Sequence, residues 1–299
     1  MSKKTLCILY MPLLLFLFLF PKDSFQASCT GVSLWFETVL PSLLPFLILS
    51  GILLQTEFMK AYKLYAWITG ILCGYPMGAK NSADLLRTNK ISKKEAQYLL
   101  TCSNQASPMF LNTYIGFYVF YKDQKMLFPF LVLFYLSVLL CALLLRFGLD
   151  SSRKTVTSSQ VLCTRIQKEV SEEHSKGTLL DTSIMNAFET ITRLGGYIIL
   201  FTIYGAMLRK ITVRLPILSL LGSCLLELTS GLACVRESAL SPESKLLITL
   251  CCTAFGGLST ILQTNCVISG SGLSIKRYIA AKILQTMIAL LLGLVFIIL

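Results

Sequence analysis

The chain has 299 residues, of which 55% are hydrophobic and only 14% charged, and its mean hydropathy is +0.70. Soluble domains carry about 25% charged residues, so this composition excludes a soluble globular protein and predicts an integral protein of the lipid bilayer. The formal net charge of +12 is therefore expected to reflect lysine and arginine in cytoplasmic loops, and nucleic acid is not an expected partner.

The apolar runs predict seven full membrane spans. They lie at approximately 5–20, 35–56, 95–120, 126–147, 184–208, 245–272 and 278–298. The first run follows two lysines, and we expect residues 1–30 to form an uncleaved N-terminal transmembrane helix rather than a signal peptide.

Two further apolar stretches, at about 62–88 and 215–240, are each interrupted by glycine and soon turn polar. Neither second arm is apolar enough to cross a bilayer, so we interpret both as re-entrant hairpins that enter and leave on one side. Broken backbone at membrane depth is tolerated only where protein or a water-filled cavity surrounds it.

Charge sets the expected orientation. With the N-terminus in the cytoplasm, most of the 27 lysines and arginines fall on the cytoplasmic side, as the positive-inside rule requires. The polar stretch 148–183 is then a cytoplasmic linker between two halves, 31–147 and 184–299.

The two halves share an order of features. "FETVLPSLLPFLILSGILL" begins at Phe36 and "FETITRLGGYIILFTIYGAML" at Phe188, and each precedes a hairpin candidate, an interrupted span and a plain span. Each half has an odd number of full spans, so the second copy must insert upside down. We therefore predict an all-α polytopic membrane protein with an inverted repeat of three spans plus one re-entrant hairpin per half. Such repeats with broken helices are typical of secondary transporters.

The stretch "GYPMGAK" (74–80) predicts the tip of the first hairpin. Its second arm begins near Ala79, where unpartnered N–H groups and the positive helix end would attract an anion. The glycines permit close backbone approach, the proline fixes the turn, and Lys80 adds a full charge. The alternative is a simple loop with Lys80 at the lipid headgroups. The candidate substrate-binding residues are Gly74, Tyr75, Pro76, Gly78 and Lys80.

A second break is predicted at "TCSNQASP" (101–108), whose polar side chains are costly in hydrocarbon unless they face a cavity or partners. Ser107 followed by Pro108 predicts the N-cap and first residue of a restarted helix. These side chains either contact substrate or an ion, or form hydrogen bonds between helices. The candidates are Ser103, Asn104, Gln105 and Ser107.

The second half offers counterparts. The second tip follows Glu227, and the pair Gly256 and Gly257 breaks the matching span. Arg193 either lines an anion path or pairs with Glu189, four residues earlier on one helical face. The candidate substrate-binding residues are Thr229, Ser230, Gly231, Arg236, Thr260, Gln263, Asn265 and Arg193.

No catalytic or metal-binding constellation emerges from the sequence. None of the 11 cysteines forms a Cys-x-x-Cys pair, and the single histidine, His174, lies in the polar linker. We therefore expect neither an enzyme nor a bound cofactor or metal.

The sequence resembles the sporulation integral membrane protein YlbJ (SpoVV) family, within the broader group that carries the nucleoside-recognition or Gate domain. The resemblance rests on "GYPMGAK" with "NSADLLRTNKISKKEAQYLL", then "CSNQASPMF" and "FGGLS", in matching order over roughly residues 35–298. The family's usual "SGYPxGA" has Cys73 at its first position here, and its "CNxxGP" is replaced by "CSNQASP".

The resemblance implies transport of dipicolinic acid into the forespore across the outer forespore membrane. Dipicolinate is a small planar dianion, and helix N-termini with Lys80, Arg193 or Arg236 in reach suit two carboxylates. Two alternatives stay open: a nucleoside or other metabolite transporter of the same fold, and a non-transporting scaffold of the spore envelope. The expected partners are a small anionic metabolite and the lipid bilayer, and assembly into a homo-oligomer stays open.

Overall fold

A computed structural model describes residues 3–55, 62–121, 124–150, 179–213 and 215–298, and its regular elements in these ranges are all helices. In the first half they are α1 Lys3–Leu19, α2 Pro21–Ser33, the π-helical π1 Leu34–Val39, α3 Leu40–Gln55, α4 Tyr62–Cys73, α5 Met77–Arg87, α6 Lys93–Ser103, α7 Pro108–Phe110, the π-helical π2 Leu111–Val119 and α8 Gln124–Asp150. In the second half they are α9 Leu179–Ile211, α10 Pro216–Leu226, α11 Leu228–Glu237, α12 Pro242–Phe255, α13 Gly257–Ile268 and α14 Ile275–Ile298.

Within the described residues, 4 segments are long and apolar enough to cross a membrane: Lys125–Arg146, Leu179–Ile211, Pro242–Ile268 and Ile275–Ile298. They coincide with the last span predicted in the first half, at 126–147, and with all three spans predicted in the second half, at 184–208, 245–272 and 278–298. The helical architecture and these segments confirm an all-α polytopic membrane protein.

Helix bounds differ from the predicted ones at three places, while the division of the chain into domains stays a prediction. The helix expected over 35–56 begins at Pro21, because α2, π1 and α3 follow one another without a gap, so the expected division at residue 30 falls inside it. Helices also occupy both ends of the linker expected over 148–183, since α8 reaches Asp150 and α9 begins at Leu179. The rest of that linker, including His174, lies outside the described residues.

Packing explains the early start of α2. Proline is favoured at the first helical position, and Pro21 occupies it. A Cβ built on Gly31 would lie 2.9 Å from the Cα atom of Ile199 in α9, so the two backbones are in close contact. Asp23 also pairs with Lys210 at 2.7 Å. The segment is polar in composition, but α9 supplies the surface on which it folds.

Both predicted hairpins are pairs of short helices. α4 packs against α5, and α10 against α11. Their arms contain 12, 11, 11 and 10 residues, so each is about 15–18 Å long, or roughly half of a 30 Å hydrocarbon layer. These lengths fit the re-entrant hairpins that the sequence predicts.

Both predicted helix breaks are confirmed. The first separates α6 from α7, and the Ser107 hydroxyl accepts the N–H of Phe110 at 3.2 Å as the expected N-cap, with Pro108 next to it. The second separates α12 from α13 at Gly256 and Gly257, whose φ angles are +84° and +82°. Residues with a Cβ rarely adopt this left-handed region, which is why glycine occupies both positions.

Substitution of Gly256 by alanine tests whether this break is also a contact between the two halves. A Cβ there would lie 3.0 Å from the Tyr75 hydroxyl, whereas a Cβ on Gly270, at φ +73°, would meet nothing within 4 Å. Both variants carry the strain of a left-handed alanine, about 1–2 kcal/mol, but only Gly256→Ala adds the clash. We expect Gly256→Ala to lower the melting temperature of the detergent-solubilised protein further than Gly270→Ala. Equal losses would contradict this contact.

Candidate functional site

The tip of the first hairpin rests on the first helix break. A Cβ on Gly74 would lie 2.8 Å from the backbone nitrogen of Ser107, and one on Gly78 would lie 2.6 Å from that of Asn104. The Asn104 side-chain oxygen accepts the Ala79 N–H at 3.3 Å, and Pro76, at the start of α5, is buried. The glycines are therefore needed for backbone contact with α6 and α7, and Asn104 caps the start of α5.

The second break brings the two tips together. Gly256 faces the Tyr75 hydroxyl of the first tip, while a Cβ on Gly257 would lie 3.4 Å from the Cα of Glu227 in the second. Because the two glycines are consecutive, both tips meet at one point of the fold. The inverted repeat itself stays a prediction.

The second tip is closed by its own carboxylate. Glu227, only 7% exposed, accepts the N–H of Thr229 at 2.9 Å, its hydroxyl at 2.5 Å and the N–H of Ser230 at 2.6 Å. Gly231 packs on Cys224, whose Cα would lie 2.5 Å from an added Cβ. The sequence had predicted that these N–H groups would be offered to an anion. A carboxylate at the N-cap instead satisfies the donors and the positive helix end.

Asn104 also joins the first break to the second half. Its amide nitrogen donates to the hydroxyls of Thr264 at 3.0 Å and Tyr278 at 2.9 Å, and all three residues are buried. The predicted residue Asn265 is exposed, one position beyond Thr264. Thr264 is therefore the residue of this turn that reaches the first break, and substrate binding by Asn265 stays a prediction.

Three other predicted residues are bonded within their own helices. The Ser103 hydroxyl donates to the Leu99 carbonyl at 2.8 Å, and that of Thr260 to the Gly256 carbonyl at 2.6 Å. Gln263 donates to the hydroxyl of Ser259 at 3.0 Å. These contacts fit the alternative that such side chains satisfy hydrogen bonds inside the protein.

Lys282 is the functional candidate that the sequence search passed over. It lies in α14, is 1% exposed, and donates to Gln105 Oε1 at 2.7 Å, to the Tyr75 hydroxyl at 2.8 Å and to Gln285 Oε1 at 3.2 Å. Two predicted residues, Tyr75 and Gln105, are thus joined through a lysine from the last helix. Removing an ammonium from water costs several kcal/mol, so a lysine inside an apolar span was itself a signal of function.

A cavity of about 780 Å³ lies among α5, α9 and α13. Its wall carries three cationic side chains and two carboxylates, so its charge is one more positive than negative. They are Lys80, Arg87, Arg193, Asp84 and Glu189. The structure therefore brings together Lys80 and Arg193, two of the cations predicted to bind an anion.

The cations of this cavity are not equally engaged. Arg87 bonds to Asp84 at 3.0 Å and to the carbonyls of Val267 and Ser269 at 3.2 and 2.7 Å. Arg193 pairs with Glu189 through one guanidinium nitrogen, as the four-residue spacing predicted. The Lys80 ammonium lies 4.0 Å from Asp84, beyond a normal hydrogen bond. Lys80 is therefore the cation of this cavity with the longest ion-pair distance.

Arg236 is not part of this cavity. Its guanidinium stacks over Tyr118 and Tyr121, 4.1 and 4.9 Å from the ring centroids, and donates to the Tyr121 hydroxyl at 2.9 Å. Arg236 is absent from the described wall of the cavity that Lys80 and Arg193 line, and its role in substrate binding stays a prediction.

The fold and its paired breaks define the class: a polytopic all-α membrane protein built around two interrupted helices and two short hairpins. No model of a known protein family matches the chain, and no solved structure matches it. The chain is 27% identical, over 309 aligned positions, to the sporulation integral membrane protein YlbJ of Bacillus subtilis (strain 168), covering 89% of this chain and 75% of that protein. The resemblance to the YlbJ family is confirmed, and it indicates a membrane role in sporulation. The Gate-domain relationship stays a prediction.

Replacing Asn104 tests the buried junction between the halves. Asn104→Ala leaves the Ala79 N–H without its acceptor and removes the amide that donates to Thr264 and Tyr278, and an unsatisfied buried polar group costs about 1–3 kcal/mol. We expect a lower melting temperature in detergent, whereas Asn265→Ala, on the exposed side of α13, should leave it unchanged. If both variants have the melting temperature of the wild type, the Asn104 hydrogen bonds do not stabilise the contact between the halves.

Proposed function

We propose that the protein transports a small organic anion, and that this anion is dipicolinic acid, carried into the forespore across the outer forespore membrane. The observation that carries the proposal is the cavity that holds Lys80 and Arg193 on different helices. Its volume of about 780 Å³ lies within the range of small-molecule sites, about 300–1,000 Å³.

The charges of the cavity favour a ligand with two carboxylates. Lys80 comes from α5 and Arg193 from α9, so the two cations approach a bound ligand from separate elements. The arginine fork has five N–H donors and uses only one of its nitrogens for Glu189, which leaves donors for a carboxylate. A planar dianion such as dipicolinate matches two such contacts.

The architecture supports movement of the ligand. α5 follows the tip that rests on the first break, and α13 follows the second break. Lys80 therefore lies on a hairpin. Displacement of that hairpin would change the distance between Lys80 and the α9 wall of the cavity. Broken helices around a central site are the usual elements of alternating access in secondary transporters.

The position of the cavity fits loading from the cytoplasm of the mother cell. Ser183, in the second turn of α9 and close to the linker predicted to be cytoplasmic, belongs to its wall. In the outer forespore membrane that side faces the mother cell. The similarity to a sporulation integral membrane protein supports the same compartment.

A nucleoside is the less favoured substrate. The amides that would read a base, Asn104 and Gln105, bond to Tyr278 and Lys282 inside the fold and are absent from the described wall of the cavity. That wall offers charged groups, which suit an anion.

Uptake into proteoliposomes tests the proposal. The purified full chain should accumulate radiolabelled dipicolinate with saturable kinetics, unlabelled dipicolinate should compete, and uridine should not. Uridine uptake without dipicolinate uptake would favour the nucleoside alternative. Failure to transport either compound would favour the scaffold.

Variants in the same assay locate the site. Lys80→Ala and Arg193→Ala should each raise the KM for dipicolinate about tenfold or more, because a charged hydrogen bond contributes about 1.5–3 kcal/mol. Arg236→Ala is the matched control, since it removes a predicted cation that lies outside the cavity, and its KM should stay within about twofold of the wild type. A comparable loss in Arg236→Ala would contradict the assignment to the cavity.

A further inference from the structure

Lys282 is held in a cage of neutral oxygen atoms. The acceptors are one phenol hydroxyl and two amide oxygens, contributed by the first hairpin tip, the first helix break and α14. The rings of Tyr75 and Tyr278 flank the ammonium, with centroids 5.0 and 5.8 Å away. Gln285 also donates to Gln105 Oε1 at 3.1 Å, which fixes the orientation of that acceptor.

No carboxylate among the described residues lies within 4.0 Å of this ammonium. Among the described residues, the groups in direct contact with the ammonium are therefore oxygen dipoles and aromatic faces. Neutral amide, carbonyl and hydroxyl oxygens are also the ligands by which proteins hold Na⁺ or K⁺. The cage thus has the chemistry of a monovalent cation site, with a lysine side chain inside it.

The lysine does not belong to the anion cavity. An ammonium has three protons to donate, and Lys282 directs them to three acceptors. It is buried, and the wall of the cavity at α5, α9 and α13 does not include it. A ligand would have to displace one of these acceptors to reach it.

The cage lies where the parts of the broken core meet. Tyr75 belongs to the first tip and Gln105 to the first break, and a Cβ on Gly256 of the second break would lie 3.0 Å from the Tyr75 hydroxyl. In transporters with discontinuous helices, the coupling cation is held at such breaks.

We propose that the Lys282 ammonium is a tethered cation that occupies the place of a coupling metal ion between the first hairpin tip and the first helix break. The core is then held closed without Na⁺ or K⁺. For transport this inference rests on the proposed function, and it predicts anion uptake that needs neither ion.

Thermal unfolding of the purified full chain in detergent tests the cage independently of transport. Wild type should melt at the same temperature in choline, sodium, potassium and ethylammonium chloride of equal concentration. Lys282→Ala should melt lower in choline, and Na⁺ or ethylammonium should restore about 3 °C or more by entering the vacated cage. Lys282→Met, whose apolar chain fills the space, should also melt lower and show no restoration. Lys276→Ala, at an exposed lysine of the same helix, should behave as wild type.

Three outcomes would overturn the proposal: a wild type stabilised specifically by Na⁺ or K⁺, a Lys282→Ala protein that no cation restores, or a Lys282→Met protein as stable as wild type. If Lys282→Ala does not accumulate, the wild-type and Lys282→Met measurements decide. In proteoliposomes, a strict requirement for Na⁺ or K⁺ in dipicolinate uptake would also overturn it. Absence of any dipicolinate uptake would count against the proposed function and would leave the result of the melting experiment unchanged.

Discussion

Backbone that is broken inside a membrane must find its hydrogen-bond partners within the protein, because no water is there to supply them. The two halves of this chain meet that constraint by placing each break against a hairpin tip. Asn104 caps the start of α5, and Glu227 caps the start of α11. Gly256 and Gly257 then let both tips approach one point. The rest of the architecture depends on this junction, because the surrounding helices pack on hairpin tips whose backbone N–H groups already have acceptors.

The same constraint moves the candidate anion site away from the tips. A tip whose N–H groups are satisfied by Asn104 or Glu227 has little to offer an incoming anion. The positive charge that remains available lies one turn further along α5, where Lys80 faces the cavity that Arg193 also lines. Asn104 and Glu227 thus satisfy the hairpin tips, while Lys80 and Arg193 are left to bind the ligand. The first hairpin connects the two functions, because it carries both a capped tip and Lys80.

Local chemistry made the breaks predictable from sequence. Ser107 with its following proline, and the paired glycines at 256 and 257, specify their own conformations. Long-range packing decided what could not be predicted. Segment 21–33 is polar in sequence, and it is helical because it packs on α9. Thr264 bonds to Asn104 and Asn265 does not, because only one face of α13 meets Asn104. Lys282 was overlooked because its partners Tyr75 and Gln105 are 207 and 177 positions away in the chain.

The proposed transport requires a small dianion to occupy the cavity among α5, α9 and α13. Cys266 lines that cavity, whereas Cys29 is exposed on α2, so the chain carries a reporter and its internal control. The most direct measurement is the rate at which a small methanethiosulfonate reagent modifies each thiol, resolved by mass spectrometry, with and without saturating dipicolinate. Dipicolinate should slow modification of Cys266 and leave that of Cys29 unchanged. An unchanged rate at Cys266 would contradict the account.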